Sequence, residues 1–249
     1  VDGLRSYAFI TVPALGDFPP VRRPGAPALR VIAGEQLRIS LDEQDLLVDA
    51  EFDRLGALPN VTRLSINGAA QLKSIKFAAS FTGLDFLRVD YTALTSLEGV
   101  EGLTVLRTAY VRDNPGLTSA AQLGGLENLE TVHLTGNAIT SLAPFTGLAK
   151  LRILLASGNA LTAVGVRDTP ALEQLQLTDN QLSSLPAFAG LGMPNLTSLA
   201  VAVNQLTDLA GLEGLTLTFL AASGNKLTTI HHIADLKGVR TQYLNGNLL

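Results

Sequence analysis

The chain holds 3 histidines, His133, His231 and His232, and no cysteine, so its means for nucleophilic, redox or metal chemistry are few. Without thiols there is neither a disulfide nor a thiolate metal site. His231 and His232 with Asp235 are the nearest thing to a ligand set. Adjacent residues in a connecting segment seldom turn both imidazoles to one ion, so no metal is expected there. Asp45, Asp49 and Asp53 recur at four-residue intervals and read as the solvated side of a short helix rather than a cation site. The patterns HExxH, CxxC, GxSxG, the phosphate loop and GxGxxG do not occur. No carboxylate pair is expected to be buried as an acid/base couple. We therefore expect no catalytic residue and no cofactor, and read the chain as non-enzymatic. What remains is recognition chemistry. Arg63, Phe86, Arg88, Asp90, Tyr91, Tyr110, Arg112, Asp113 and His133 gather the aromatic and Arg types that dominate binding hot spots. The plainer alternative is that Arg88 pairs with Asp90, Arg112 pairs with Asp113, and Phe86 fills a gap.

A repeat brings these residues together. One phrase returns nine times: an apolar residue, two others, an apolar residue, one other, an apolar residue, then usually Asn. Its copies begin at Val61, Leu84, Leu106, Leu129, Leu151, Leu172, Leu196, Leu217 and Val239, at intervals of 21–24 residues. A fixed period in this range is the mark of a solenoid. The alternating segment predicts a strand of period two, and strands of successive coils stack as a parallel sheet with the aliphatic residues inward. Asn114, Asn137, Asn159, Asn180, Asn204, Asn225 and Asn247 stand eight residues after the motif starts. A buried amide is costly unless paired, so this offset predicts a ladder of side-chain bonds to the backbone turns. Ala69 and Thr92 replace Asn in the first two copies, so the ladder is expected to start late. Return legs such as Ile139 to Leu148 are too short for long helices and predict 3₁₀ turns or single α-turns.

The residues outside the repeat suggest three regions. Residues 1–35 are a non-repeat segment of short strands and proline-rich loop, with strands expected at Tyr7–Val12, Ala28–Ile32 and Gln36–Leu41. Residues 36–58 read as a degenerate capping coil, with Val48, Phe52 and Leu55 on one face of a short helix. Residues 59–249 carry the nine copies, the last one incomplete. Gln242 stands where that last copy should have an inward apolar residue. The chain stops eleven positions into that coil, so its open end reads as a place for an additional domain or for self-association.

Composition narrows the partners. Apolar residues are 47% and charged residues 16%, which fits an ordered chain with a continuous core. Net charge is −4, no basic stripe is present, and no run of apolar residues is long enough to span a bilayer. Neither nucleic-acid binding nor a membrane span is expected. Asn60-Val-Thr62 and Asn195-Leu-Thr197 match the glycosylation sequon, a pattern the repeat itself produces.

From about residue 36 to 249 the chain resembles the leucine-rich-repeat family. Its period and its returns are similar to those of the internalin and phosphatase-regulator subclass. The resemblance implies an α/β architecture: a right-handed solenoid with the parallel sheet on its concave face and 3₁₀, short helical or irregular turns on its convex face. It also implies a protein ligand on the concave face, and it supplies no catalytic residues. A surface or secreted protein is the expected setting, with the cytoplasm as the alternative. The competing functional reading is a structural or assembly unit, or the regulatory arm of a larger protein.

Overall fold

In the LxxLxL segments apolar and polar side chains alternate, and only an extended chain puts such alternate residues on opposite faces. The computed structural model describes residues 29–32, 36–40, 61–234, 236 and 238–249. Among these, eleven strands form one sheet in sequence order. β1 (Leu29–Ile32) and β2 (Gln36–Ser40) pair antiparallel. From β2 onward all pairs are parallel, through β3 (Arg63–Asn67), β4 (Phe86–Asp90), β5 (Thr108–Tyr110) and β6 (Thr131–His133). The series continues through β7 (Ile153–Leu155), β8 (Gln174–Gln176), β9 (Ser198–Ala200), β10 (Phe219–Ala221) and β11 (Thr241–Tyr243). The strand expected at Tyr7–Val12, the proline-rich stretch and the Asp45–Leu55 helix lie outside the described residues.

Register is kept coil by coil. Leu64 lies beside Leu87, followed by Ala109, Val132, Leu154, Leu175, Leu199 and Leu220, and all eight are fully buried. A shift of one residue would turn this whole column to the outer face, which fixes the pairing. The return legs add further buried layers: Ile139, Leu142 and Phe145 in one coil have no exposed surface. They run through 3₁₀ turns at Lys76–Ser80, Ala121–Leu123, Ala143–Phe145 and Phe188–Gly190, and a single α-turn at His231–Ala234. Coils approach closely there. A Cβ at Gly211, whose φ is +99°, would overlap the Pro186 carbonyl. The core is thus one elongated cluster from Val61 to Leu236.

Between strand and return leg the backbone polar groups are met by Asn side chains. Asn180 is typical. Its Oδ1 accepts from Leu161 N–H of the preceding coil at 3.0 Å, and its Nδ2 donates to Ala156 O and Leu177 O, both at 3.0 Å. Asn137, Asn159, Asn204, Asn225 and Asn247 likewise accept from a preceding-coil N–H and donate to one carbonyl before and one within their own coil. Asn114 accepts instead from both the N–H and the hydroxyl of Thr92. Thr92 and Ala69 are buried in the positions that Asn takes elsewhere.

One residue earlier the chain turns left-handed in every coil. Gly68, Gly136, Gly158, Gly224 and Gly246 fill that position in five copies, where glycine adopts positive φ without steric cost. Tyr91, Asp113, Asp179 and Val203 fill it in the other four, with φ between 52° and 57°. Each of those four carries a Cβ in a region where an L-residue is strained.

Candidate functional site

The first, third and fifth residues of each strand point away from the core, and over β3 to β6 they build a continuous polar–aromatic surface. Arg63 and Phe86 are register partners, and the Arg63 guanidinium carbon lies 4.3 Å from the Phe86 ring centre. Phe86 meets Tyr110 edge to face, with centroids 5.6 Å apart and planes at 76°. Phe86 lies directly beside Thr108, whose small side chain leaves the ring room to lean toward the next column. Tyr110 then meets its register partner His133, again edge to face, at 5.7 Å and 83°. Four side chains from four strands thus form one ridge, each half-buried by its neighbours. Edge-to-face ring pairs and a guanidinium on a ring face are mutually stabilising arrangements.

Beside the ridge lies a charged bridge. Asp90 is fully buried although it leaves the sheet on its outer side, because two guanidinium groups cover it. Arg112 grips it bidentately, Nε to Oδ1 at 3.1 Å and Nη2 to Oδ2 at 2.5 Å, while the Arg112 backbone N–H also donates to Oδ1 at 3.1 Å. Arg88 Nε donates to Oδ2 from the other side. The hydrogen bonds to Asp90 raise the Arg112 pKa and keep this guanidinium charged. Burial, reinforced by the nearby Arg112 charge, lowers the His133 pKa below the usual imidazole value. His133 Nε2 lies 2.9 Å from the Thr135 hydroxyl.

The remaining residues of the group separate. Asp90 holds the two arginines and leaves no surface for a partner to touch. Arg112 pairs with this Asp90 rather than with Asp113, because residues 112 and 90 share the outer face while the chain has already turned by 113. Asp113 sits at φ +55° and is half-buried, with its carboxylate in space left by the missing side chain of Gly136. Tyr91 stands at φ +56° and is 56% exposed, at the rim. Toward the C-terminal strands the outer face changes character. Ile153 and Leu155 are followed by Gln174 and Gln176, then by the small residues Ser198, Ala200 and Ala221 beside a Phe219–Tyr243 edge-to-face pair at 5.9 Å. Along β11, Thr241, Gln242 and Tyr243 are all exposed.

His232 Nδ1 meets Glu213 Oε1 of the preceding coil at 2.7 Å, and the His231 and His232 rings lie 3.8 Å apart. Backbone N–H donors, chiefly its own and that of Gly211, lower the Glu213 pKa, with His232 adding to the effect. Asp235 lies outside the described residues, as do Asp45, Asp49 and Asp53. Among the described residues no group of three or more His, Cys, Asp or Glu could hold a metal ion, and no helix is long and apolar enough to cross a membrane. The partnership of His232 with Glu213 escaped sequence reasoning, and the only available signal was their common place in adjacent return legs. The left-handed position did leave a signal: a glycine directly before the Asn position in five copies.

This geometry, a parallel sheet with one short strand per coil and Asn-closed turns, defines a class of solenoid. Residues 170–227 match the leucine rich repeat family model, and the fold of the array is that of a leucine-rich-repeat solenoid. No curated protein matches it by sequence. Among the solved structures that share its fold, three illustrate the likeness. An internalin from Listeria monocytogenes is 19% identical with a TM-score of 0.61, the match covering 85% of this chain and 67% of that one. A plant peptide hormone receptor, RGFR1 in complex with RGF2, is 23% identical with a TM-score of 0.65, covering 78% of this chain and 34% of the receptor. A leucine-rich-repeat protein of Leptospira interrogans is 21% identical with a TM-score of 0.54, covering 84% and 64%. At these identities the likeness is one of fold. The chain spans about a third of the receptor's length and just under two thirds of the Leptospira protein's.

Proposed function

We propose that this chain is a non-enzymatic protein-recognition module whose partner docks on the outer, concave face of the sheet over β3 to β6. The observation that carries the reading is the Arg63–Phe86–Tyr110–His133 ridge: four interlocked side chains from successive coils, positioned before any partner arrives. Ordering rotamer-rich side chains in advance lowers the entropy cost of association, and Tyr and Arg are the types that concentrate binding energy. Arg88, Arg112, Tyr91 and Asp113 frame the ridge, and Asp90 acts beneath it as the anchor of both arginines. The plant receptor with its bound RGF2 is an instance of the same fold used for recognition. On this reading the chain works at a cell surface or in the secreted state, which fractionation of the source cells tests.

The decisive experiment is an interferometry screen of surface and secreted candidate proteins against the wild type. The hits are then rebound to the Phe86→Ala, Arg88→Ala, Tyr110→Ala triple variant. Loss of two hot-spot side chains at about 2 kcal/mol each corresponds to roughly a thousandfold in affinity. The control is Arg152→Ala with Glu173→Ala, an exposed pair at 3.0 Å on the strand edge, and it should leave binding unchanged. Partners that bind the triple variant as tightly as the wild type would place recognition elsewhere.

A further inference from the structure

The bridge beside the ridge carries more charge than it uses. Two guanidinium groups meet a single carboxylate, so the bridge holds +2 − 1 = +1. Asp90 is saturated. Its Oδ1 accepts the backbone N–H and Nε of Arg112, and its Oδ2 accepts Arg88 Nε and Arg112 Nη2. Each oxygen thus takes two hydrogen bonds, the usual capacity of a carboxylate oxygen. The donors are not saturated. Both Nη groups of Arg88 and Nη1 of Arg112 take no hydrogen bond among the described residues, and the two side chains remain 37% and 26% exposed. The neighbouring acids do not fill this vacancy: Asp85 lies by Arg63 at 3.9 Å, and Asp113 makes no ion pair with either arginine. Arginine donors on a planar fork match a carboxylate in both geometry and charge. Here a buried anchor holds the fork, and the Phe86–Tyr110 rings flank it.

We propose that Arg88 and Arg112 read a carboxylate on the partner, an Asp or Glu side chain presented next to an aromatic or aliphatic residue that packs on Phe86 and Tyr110. This inference rests on the recognition reading above and names the chemistry of that same face. Arg88 is the residue to perturb, since Arg112 is needed to cover Asp90.

A random peptide library selected against the full chain tests it, with the selected peptides synthesised and their affinities measured by fluorescence polarisation. The expected peptides carry an acid beside an apolar residue and weaken with salt. Amidating that acid (Glu→Gln or Asp→Asn) and Arg88→Gln each cost about tenfold or more, because each removes a charge-assisted hydrogen bond. Combining the two changes costs no more than either alone, and Arg88→Lys restores part of the affinity. Circular dichroism establishes that Arg88→Gln is folded. Peptides that need Phe86 and Tyr110 but have no acid, or ignore Arg88→Gln, overturn the carboxylate assignment while leaving the recognition face intact. If selected peptides bind the Phe86→Ala, Tyr110→Ala variant as well as the wild type, the face itself is wrong and this inference goes with it.

Discussion

Replacing Asn180 by Ala tests whether the amides between strand and return leg hold the coils together. The cost can be worked from the bonds. Leu161 N–H loses its acceptor and is left buried without one. Ala156 O loses the Asn180 donor but keeps Asn159 Nδ2 at 3.1 Å, and Leu177 O keeps Asn204 Nδ2 at 2.9 Å. One orphaned buried donor costs about 1–3 kcal/mol, and two shared carbonyls losing one bond each add about 0.5–1.5 kcal/mol apiece, so about 2–6 kcal/mol is expected. For a chain of this size that corresponds to a melting temperature lower by roughly 4–24 °C. Hydrogen exchange should show lost protection at the Leu161 amide. The surface control is Asn195→Ala, whose Nδ2 donates to Pro170 O in an exposed bond, and it should change stability by no more than about 0.5 kcal/mol. A second variant separates hydrogen bonding from volume. In Asn180→Asp a carboxylate would face two carbonyl oxygens with no proton to offer. Its protonated form is favoured in the folded state, so its stability deficit should shrink as pH falls. If Asn180→Ala melts like Asn195→Ala, the amide reasoning is refuted.

Two further predictions follow from strain and titration. Val203 combines a β-branched side chain with φ +52° and is 52% exposed. Val203→Gly should relieve about 1–2 kcal/mol of left-handed strain against roughly 0.5–1 kcal/mol of added chain entropy, raising stability by about 0.5–1 kcal/mol in urea denaturation. His133 has a folded-state pKa below its unfolded value, chiefly through burial. The unfolded chain therefore binds more protons, so this contribution to stability is full above about pH 6.5 and is lost as pH falls below it. His133→Gln should flatten that part of the slope relative to wild type in denaturation series from about pH 5 to pH 7.5. An unchanged slope would mean that His133 is solvated alike in both states.

The strand columns and return legs were legible because burial imposes two periods at once, two within a strand and about 22 between coils. The offset of the Asn residues was legible for the same reason: a buried amide must be paired at a fixed place. The outer face was legible as a set of residues but not as an arrangement. Residue type alone could not tell that Asp90 would disappear beneath two arginines, since its burial depends on which guanidinium groups the register sets beside it. Nor did pairing Arg112 with Asp113 survive, because the left-handed turn at residue 113 carries that carboxylate out of the strand plane. His232 and Glu213 meet through the packing of adjacent returns, where residue spacing is too irregular to align by eye.

The amides between strand and return leg all reach the same way. Asn180 serves the backbone of residues 156 and 161 behind it, and its own neighbour Gln181 makes its backbone bond with Leu161 O rather than with anything ahead. The solenoid is therefore directional in its bonding as well as in its sequence. A ribosome releases the amino end first, so each coil leaves the exit tunnel with its turn unfinished and is closed by its successor about one repeat later. Synthesis and closure run in the same direction, and the growing tip is always the least finished part of the molecule.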